Sequence, residues 1–321
     1  MIDKNETANL PDVQNFFHDV GNGRIFCTLI GASRSSEECV IYFSPLFEER
    51  MWAHRIAYNF ALDLAEGGKR AVLMFDYYGY GESDGDAEDF TLARCRAAVE
   101  SLLAHLRKSG ISRFAFWGIR TGCAVALASL PPGISLSAAF LWAPVYNLQQ
   151  YIFDSLRATI AAQYMIFNKS LVTREIILEE LMESGKCVRD GYVLNYIEGY
   201  RFGSAFYQEV LELGSDCYLD RLTCPAIVLE VVPPGVKNAN ASVKTGIMGA
   251  ATIDNPMMQC MQIAERKFWI IGRDYCQRAD ALCNETREWL NSMDEKNEVT
   301  SGYFVQGEPD LNPNQIMKAG I

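Results

Sequence analysis

The sequence predicts an α/β fold with a mostly parallel central sheet flanked by helices and interrupted by a helical insertion. Short, nearly continuous apolar segments alternate with longer segments of helical periodicity, which is typical of a parallel sheet covered on both faces. The alternation stops near residue 147, where about seventy residues of helical, aromatic-rich pattern begin. The chain has 321 residues, 49% of them hydrophobic, enough for one large domain with an insertion or for two domains.

The first part of the chain reads as strands and helices bounded by glycine, proline and polar turns. The predicted elements are an edge hairpin at 12–32, buried strands at 39–44 and 71–75 separated by a helix at 51–66, a glycine-rich loop at 76–85, a helix at 91–110, a strand at 114–117 and a helix at 123–130.

The later part predicts fewer strands and a polar end. Strands are expected at 137–142, 224–232 and 267–272 and a last helix at 280–293, while 236–265 is open between a polar loop and a methionine-rich helix. The predicted organisation is a first part of the core at 1–147, a helical cap at 148–216, a second part of the core at 217–293 and a polar C-terminal tail at 294–321.

Gly118-Ile119-Arg120-Thr121-Gly122 has the spacing of the G-x-S-x-G nucleophile elbow, a sharp strand-to-helix turn. Arginine stands where a hydrolase presents its nucleophile. The first turn of a helix disfavours a cation by about 0.3–1 kcal/mol. We therefore expect Arg120 either to pair with a carboxylate or to help bind an anion, the alternative being an idle exposed side chain.

Two glutamates are candidate partners of this arginine. Glu48 and Glu49 follow the strand at 39–44, in a loop expected to face the elbow across the carboxyl ends of the strands. Either could form a bidentate pair with Arg120, although two solvated glutamates would fit the sequence as well. Thr121, next to the arginine, and Asp274, after the strand predicted at 267–272, complete the set of candidate ligand-binding residues.

The element order, the elbow frame and the loop D-x-x-G-x-G-x-S-x-G from Asp76 to Gly85 together resemble the α/β-hydrolase superfamily, especially its serine-aminopeptidase-like branch, over roughly residues 20–291. Ser44-Pro-Leu-Phe-Glu-Glu-Arg-Met and Trp117-Gly-Ile-Arg-Thr-Gly resemble the exosortase A system-associated hydrolases of the second type, a group similar in having arginine at the elbow. This resemblance implies a link to bacterial exopolysaccharide or protein-sorting systems.

The catalytic triad of that superfamily has no counterpart in this sequence. All three histidines, His18, His54 and His105, precede the elbow, whereas the base belongs after the last strand. The acid is expected in the loop at 233–235, which reads Pro-Pro-Gly. Without a nucleophile and a base no proton relay can activate a hydroxyl. Cys123 is a conceivable nucleophile, but a small packing residue explains it better.

Composition excludes several classes of function. The net charge of -11 and the absence of a basic run make nucleic acid a poor partner. No apolar stretch reaches the about 18 residues of a membrane span, and the polar start predicts no signal peptide. Ten scattered cysteines indicate reduced thiols in a cytoplasmic protein. Neither a metal nor a cofactor is expected, and an oligomer is compatible with the sequence.

The sequence thus favours a non-hydrolytic ligand-binding or accessory protein, with a small-molecule ligand for which an anion is one option. The alternative is an enzyme, a hydrolase or acyl transferase acting on an ester, thioester or amide, in which Arg120 clamps an anionic oxygen and a glutamate does acid–base work. A structural partner of an exopolysaccharide or sorting complex is a third class.

Overall fold

The computed structural model describes residues 11–32, 36–214, 219, 222–235, 255–270 and 278–305. The strands are β1 Val13–Asp19, β2 Arg24–Ile30, β3 Glu38–Phe43, β4 Arg70–Phe75, β5 Arg113–Ile119, β6 Ala138–Trp142, β7 Val188–Arg189, β8 Tyr192–Val193, β9 Tyr196–Ile197, β10 Tyr200–Arg201, β11 Ala226–Val232 and β12 Met258–Ala264. The helices are α1 Glu49–Glu66, α2 Leu92–Lys108, α3 Thr121–Ala128, α4 Leu148–Phe167, α5 Arg174–Ser184, α6 Ser204–Leu213 and α7 Asp280–Val305.

Eight of the strands form one sheet in the order β1-β2-β4-β3-β5-β6-β11-β12. The two pairings that involve β2 are antiparallel and the other five are parallel. Every residue of β3, β4 and β6 is buried, as expected for strands covered on both faces. The predicted α/β fold, with a mostly parallel central sheet flanked by helices, is confirmed.

Each face of the sheet has its own apolar core, because successive strand residues point to opposite sides. On one face, Trp117 of β5 and Trp142 of β6 pack against Phe60 of α1, with ring centroids 5.1 and 4.9 Å from the Phe60 ring. On the other face, Phe43 and Phe116 have ring centroids 4.9 Å apart and belong to the cluster that also contains α2 and α3.

Residues 148–213, called the insertion below, lie between β6 and β11 and contribute no strand to the large sheet. They form α4, α5, α6 and two short hairpins, β7–β8 and β9–β10, which the helical pattern did not predict. Asn147 and Thr173 begin the first two helices, since their side chains accept hydrogen bonds from the backbone N–H groups of Gln150 and Ile176.

The prediction for the last strand was wrong. The last strand among the described residues is β12, Met258–Ala264, inside the segment that the sequence left open, whereas Phe268 and Trp269 lie in a turn after it. Residues 271–272 of the predicted strand lie outside the described residues. Among the described strands, β12 pairs only with β11, and a strand at the edge of a sheet tolerates the polar Gln259 and Gln262 that weaken its apolar pattern. In this turn Phe268 and Trp269 are buried, each 4% exposed, whereas Lys267 and Ile270 are exposed.

Helix α7 begins at Asp280, as the sequence predicts, but continues to Val305, beyond the predicted end at residue 293. From Cys283 onward the chain forms a second compact unit. Within the described parts of the chain, no helix combines the length and the apolar character that crossing a membrane requires.

Candidate functional site

Arg120 is held in a strained turn between β5 and α3, with φ 55° and ψ −124°. The flanking glycines are required by close backbone approach. A Cβ on Gly118 would lie 2.7 Å from Cα of Cys123, and one on Gly122 would lie 2.2 Å from the carbonyl oxygen of Phe43. Two backbone hydrogen bonds hold the turn: the Arg120 N–H donates to Trp142 O at 3.0 Å, and the Val145 N–H donates to Arg120 O at 3.3 Å.

This turn has the geometry of a nucleophile elbow, and it follows the fifth strand of the sheet at its carboxyl end. The chain has the α/β-hydrolase fold. Strand register sets the surroundings of the elbow, because Ile119 pairs with Trp142, and Trp142 pairs with Leu229. The next residues, Arg120, Ala143 and Glu230, therefore lie side by side at the carboxyl ends of the parallel strands.

The guanidinium of Arg120 is engaged on three sides. Its Nε lies 3.2 Å from Oε2 of Glu49, its Nη2 lies 3.2 Å from Oε1 of the same residue, and its Nη1 donates to Ala143 O at 3.2 Å. The guanidinium carbon also lies 4.9 Å from the ring centroid of Trp269. The side chains of Arg120 and Glu49 are only 21% and 9% exposed, so the pair is largely removed from water.

Glu49 is a buried carboxylate in the first turn of α1, where a negative charge is favoured. Burial raises its pKa, and the nearby charge of Glu198 adds to this effect. The charge and hydrogen bonds of Arg120 and a hydrogen bond with Tyr151 of α4 act in the opposite direction. The β3–α1 segment, the elbow and the insertion thus all contribute to the surroundings of one carboxylate.

Two more carboxyl groups lie near this pair. Tyr146 donates a hydrogen bond to Oε1 of Glu230, whose pKa is raised by burial and lowered in part by Tyr146 and Arg120. Glu198, in the β9–β10 turn, has a pKa raised by partial burial and by the charge of Glu48, whose backbone N–H donates to it. One arginine therefore faces several carboxyl groups. The positive charge expected at the elbow is cancelled within the described residues.

Backbone strain is concentrated around this site. Six non-glycine residues in the described parts of the chain have positive φ, and four of them are Phe47, Arg120, Ala143 and Glu198. Each of these conformations costs of order 1–3 kcal/mol and persists only where the surroundings enforce it. Such a concentration is typical of functional sites.

Thr121 and Cys123 are occupied by packing. The buried Thr121 hydroxyl accepts a hydrogen bond from the Leu46 N–H at 2.7 Å, so it ties the elbow to the loop after β3. Cys123 is fully buried, and burial raises the pKa of its thiol well above the ordinary value despite the neighbouring Arg120. A protonated, inaccessible thiol is a poor nucleophile. This geometry fits the packing role that the sequence favoured for Cys123.

The histidines do not supply a base to the elbow. The ring centroids of His18 and His105 lie 5.2 Å apart on β1 and α2, and His18 Nε2 lies 2.8 Å from the Ser101 hydroxyl. His54 lies on α1 near Arg50 and Asp76.

Of the remaining sequence candidates, Glu48 precedes α1 and is half-buried, while Glu49 alone of the two glutamates reaches the arginine. Asp274 lies outside the described residues. Sequence reasoning missed Tyr146, Glu198, Trp269 and Glu230, and it included Tyr151 only among the aromatic residues of the insertion, a few of which could line a pocket. Only Glu230 left a local signal, as a lone charge in the apolar strand A-I-V-L-E-V-V.

No protein-family model matches the chain, and no curated protein sequence matches it. Among solved structures, the chain is similar to a malate-bound thermophilic esterase from Thermogutta terrifontis, with 15% identity and a TM-score of 0.49 over 88% of this chain and 99% of that one. It is also similar to an esterase from Pyrococcus furiosus, with 13% identity and a TM-score of 0.44 over 69% of this chain and 70% of that one. These likenesses are too distant to transfer an activity or a ligand.

Proposed function

We propose that this protein is a non-hydrolytic member of the α/β-hydrolase fold that binds a small molecule or serves as an accessory protein. One observation carries the proposal: the elbow position holds Arg120 in a buried bidentate pair with Glu49. A guanidinium has no nucleophilic lone pair to offer, and no histidine of the chain contacts it.

The electrostatics of the site bear on its ligand. An anion would have to compete with Glu49 for Arg120 or bind while Glu49 is protonated, because the carboxylate already neutralises the guanidinium and accepts from two of its nitrogens. A preformed anion site, the option that the sequence left open, is therefore the less favoured form of the proposal. Uncharged ligands meet no such competition.

The proposal is tested with a fluorophosphonate probe and with nitrophenyl esters, using an active serine esterase as the positive control. We expect no stoichiometric labelling of a serine and no ester turnover above background. The variant Arg120→Ser should be equally inactive, because it supplies a hydroxyl but no base. Saturable labelling of a serine in the wild-type protein would overturn the proposal.

A second candidate is an enzyme that acts on an ester, thioester or amide by a non-standard mechanism. It is favoured by two carboxyl groups beside an arginine, Glu49 and Glu230, whose pKa values are raised by burial, since a carboxyl group with a raised pKa is better suited to general acid–base work. Turnover of a thioester or amide that is lost in Glu230→Gln and Glu49→Gln, but kept in the variant Glu183→Gln on α5, would establish this alternative.

We further propose a cytoplasmic protein linked to a bacterial exopolysaccharide or protein-sorting system. The stretches around Ser44 and Trp117 support the link by resemblance, and the eight described cysteines are all free thiols, as a reducing compartment favours. Deleting the gene should change the amount of exopolysaccharide or the sorting of surface proteins. A fractionated, tagged protein should be found with the cytoplasmic markers.

A further inference from the structure

A cleft lies apart from the residues that surround Arg120. It has a volume of about 480 Å³ and is bounded by the start of α1, strands β2 and β4, and the end of β3. Two consecutive residues of the chain lie at different sites: Glu49 pairs with the elbow arginine, whereas Arg50 lines this cleft.

Two hydroxyl groups that line the cleft are buried and unpartnered. Tyr42 is 2% exposed and Ser44 is 5% exposed, and neither side-chain oxygen has a hydrogen-bond partner among the described residues. Buried hydroxyls are nearly always satisfied, so each of these two needs a hydrogen-bond partner from outside the described residues, either a water molecule or a ligand atom. Each can donate and accept a hydrogen bond.

Two charged groups of the cleft, Arg50 and Asp76, neutralise each other. Arg50 pairs with Asp76, whose other carboxylate oxygen accepts from the Glu82 N–H at 2.9 Å. The Arg50 guanidinium makes no other hydrogen bond within the described residues, so it has donors left for an acceptor atom. His54 also lines the cleft, and its pKa is lowered by burial and, to a smaller extent, by the charge of Arg50, which favours the neutral imidazole.

The lining therefore offers hydrogen-bond donors that have no partner in the described parts of the chain, and it carries no net positive charge. This favours an uncharged acceptor oxygen over a carboxylate or phosphate, since the exposed Glu82 carboxylate at the same cleft repels anions. The rest of the lining includes polar Asn15 and Thr28 and, as apolar groups, the thioethers of Met51 and Met74 and the Phe26 ring. Thioethers and rings suit an apolar ring on the ligand.

We propose that this cleft is a binding site for a small uncharged molecule that carries a carbonyl or hydroxyl oxygen at one end and an apolar ring at the other. The oxygen accepts hydrogen bonds from the Tyr42 and Ser44 hydroxyls, and the ring lies against Met51 and Met74. The proposal for this cleft does not depend on the function proposed for Arg120.

The test uses protein labelled with ¹³C at the methionine methyl groups, because Met51 and Met74 line the cleft. Met165 and Met182 of the insertion, 85% and 38% exposed, are internal references. Benzamide, an uncharged probe with a carbonyl and a ring, should shift the Met51 and Met74 signals saturably, with a Kd of about 1 mM, as for a small fragment. Benzoate should bind more weakly because Glu82 repels its charge, and benzylamine because it carries no acceptor oxygen.

Tyr42→Phe and Ser44→Ala should each weaken benzamide binding roughly threefold to tenfold, since each removes one hydrogen bond to the oxygen. Tyr164→Phe, at an exposed tyrosine of α4, is the matched control and should leave the affinity unchanged. The proposal is overturned if benzamide causes no saturable shift at Met51 and Met74, if it shifts Met165 and Met182 equally, or if both cleft variants bind it as the wild type does.

Discussion

At the level of single residues, the elbow arginine and its glutamate explain each other. Arg120 begins α3, where the helix dipole disfavours a cation, and Glu49 lies in the first turn of α1, where an anion is favoured. The pair neutralises both charges, so that neither side chain is left as an unpaired ion in a largely dry environment. The sequence indicated Glu48 or Glu49 equally, because only the start of α1 decides which of the two faces the elbow.

Replacing Arg120 with Met should destabilise the protein by about 3–5 kcal/mol, because it leaves a buried carboxylate without its cation. The double variant Arg120→Met/Glu49→Gln should regain most of that loss, since the charge is then gone as well. Urea unfolding of the wild type, both single variants and the double variant gives the coupling energy directly.

The control for this cycle is the pair of Arg157 and Asp154 on α4, whose side chains are 71% and 40% exposed. Arg157→Ala should change the free energy of unfolding by less than about 1 kcal/mol. Equal effects of Arg120→Met and Arg157→Ala would show that the elbow arginine is an idle surface residue.

Glu230 should make stability depend on pH. Its pKa is raised in the folded protein, so the folded state holds the proton more tightly than the unfolded chain does. The stabilisation is complete below the ordinary pKa of a glutamate and is lost as the pH rises through the raised pKa. Glu230→Gln can still accept the Tyr146 hydrogen bond, so it should raise the Tm at pH 8 and change it little at pH 4.5.

Thermal melts between pH 4.5 and pH 8 measure this difference, with the exposed Glu183→Gln on α5 as the control. A Glu230→Gln variant whose Tm follows that of the wild type at every pH would contradict the assignment of a raised pKa to Glu230.

At the level of elements, the turn from β5 to α3 depends on glycines that allow close backbone approach. Gly122→Ala would place a Cβ 2.2 Å from Phe43 O, a backbone atom that cannot move aside, and should destabilise by about 3 kcal/mol or more. Gly67→Ala is the matched control, because that glycine has negative φ and nothing within 4 Å of its Cβ position. It should be neutral or stabilising, by up to about 1 kcal/mol, in denaturant unfolding. Similar losses in both variants would refute this account of the turn.

Local sequence signals predicted the elements that depend on local chemistry. The elbow glycines, the edge hairpin and the buried strands are specified by short patterns, and the structure contains them. The prediction of a strand at 267–272 was wrong for the described residues 267–270, because an apolar run indicates that side chains are buried but does not distinguish a strand from a turn. β12 was missed because an edge strand needs neither continuous apolar residues nor strict alternation.

At the level of the whole molecule, what the sequence could not give is the result of strand register. Glu230 reaches the elbow because Leu229 pairs with Trp142, the last residue of β6, so that the glutamate lies just past the end of that strand. Tyr151 and Glu198 arrive from the insertion, more than thirty residues along the chain from Arg120. No local pattern encodes such contacts. The elbow motif therefore predicted where the site lies, but not which side chains from other elements surround it.

The insertion shares its core with the sheet, which predicts that the two unfold together. Ile152 and Leu156 of α4 and Phe206 of α6 belong to the same buried cluster as Phe43 and Phe116 of the sheet. A segment that buries its apolar face against the rest of the domain has no independent source of stability, so cooperative loss of both is expected. The cysteines report this, because Cys187 lies in the insertion and Cys123 in α3, and both are fully buried.

Pulses of iodoacetamide in increasing urea, read by mass spectrometry, should show Cys187 and Cys123 losing protection at the same urea concentration. Cys260 of β12, the one described cysteine that is only partly buried, should react first and is the internal reference. Reaction of Cys187 at clearly lower urea than Cys123 would mean that the insertion opens as a separate unit, as a lid that moves over the sheet must. The predicted division at residue 148 would then be a boundary of stability as well as of sequence pattern.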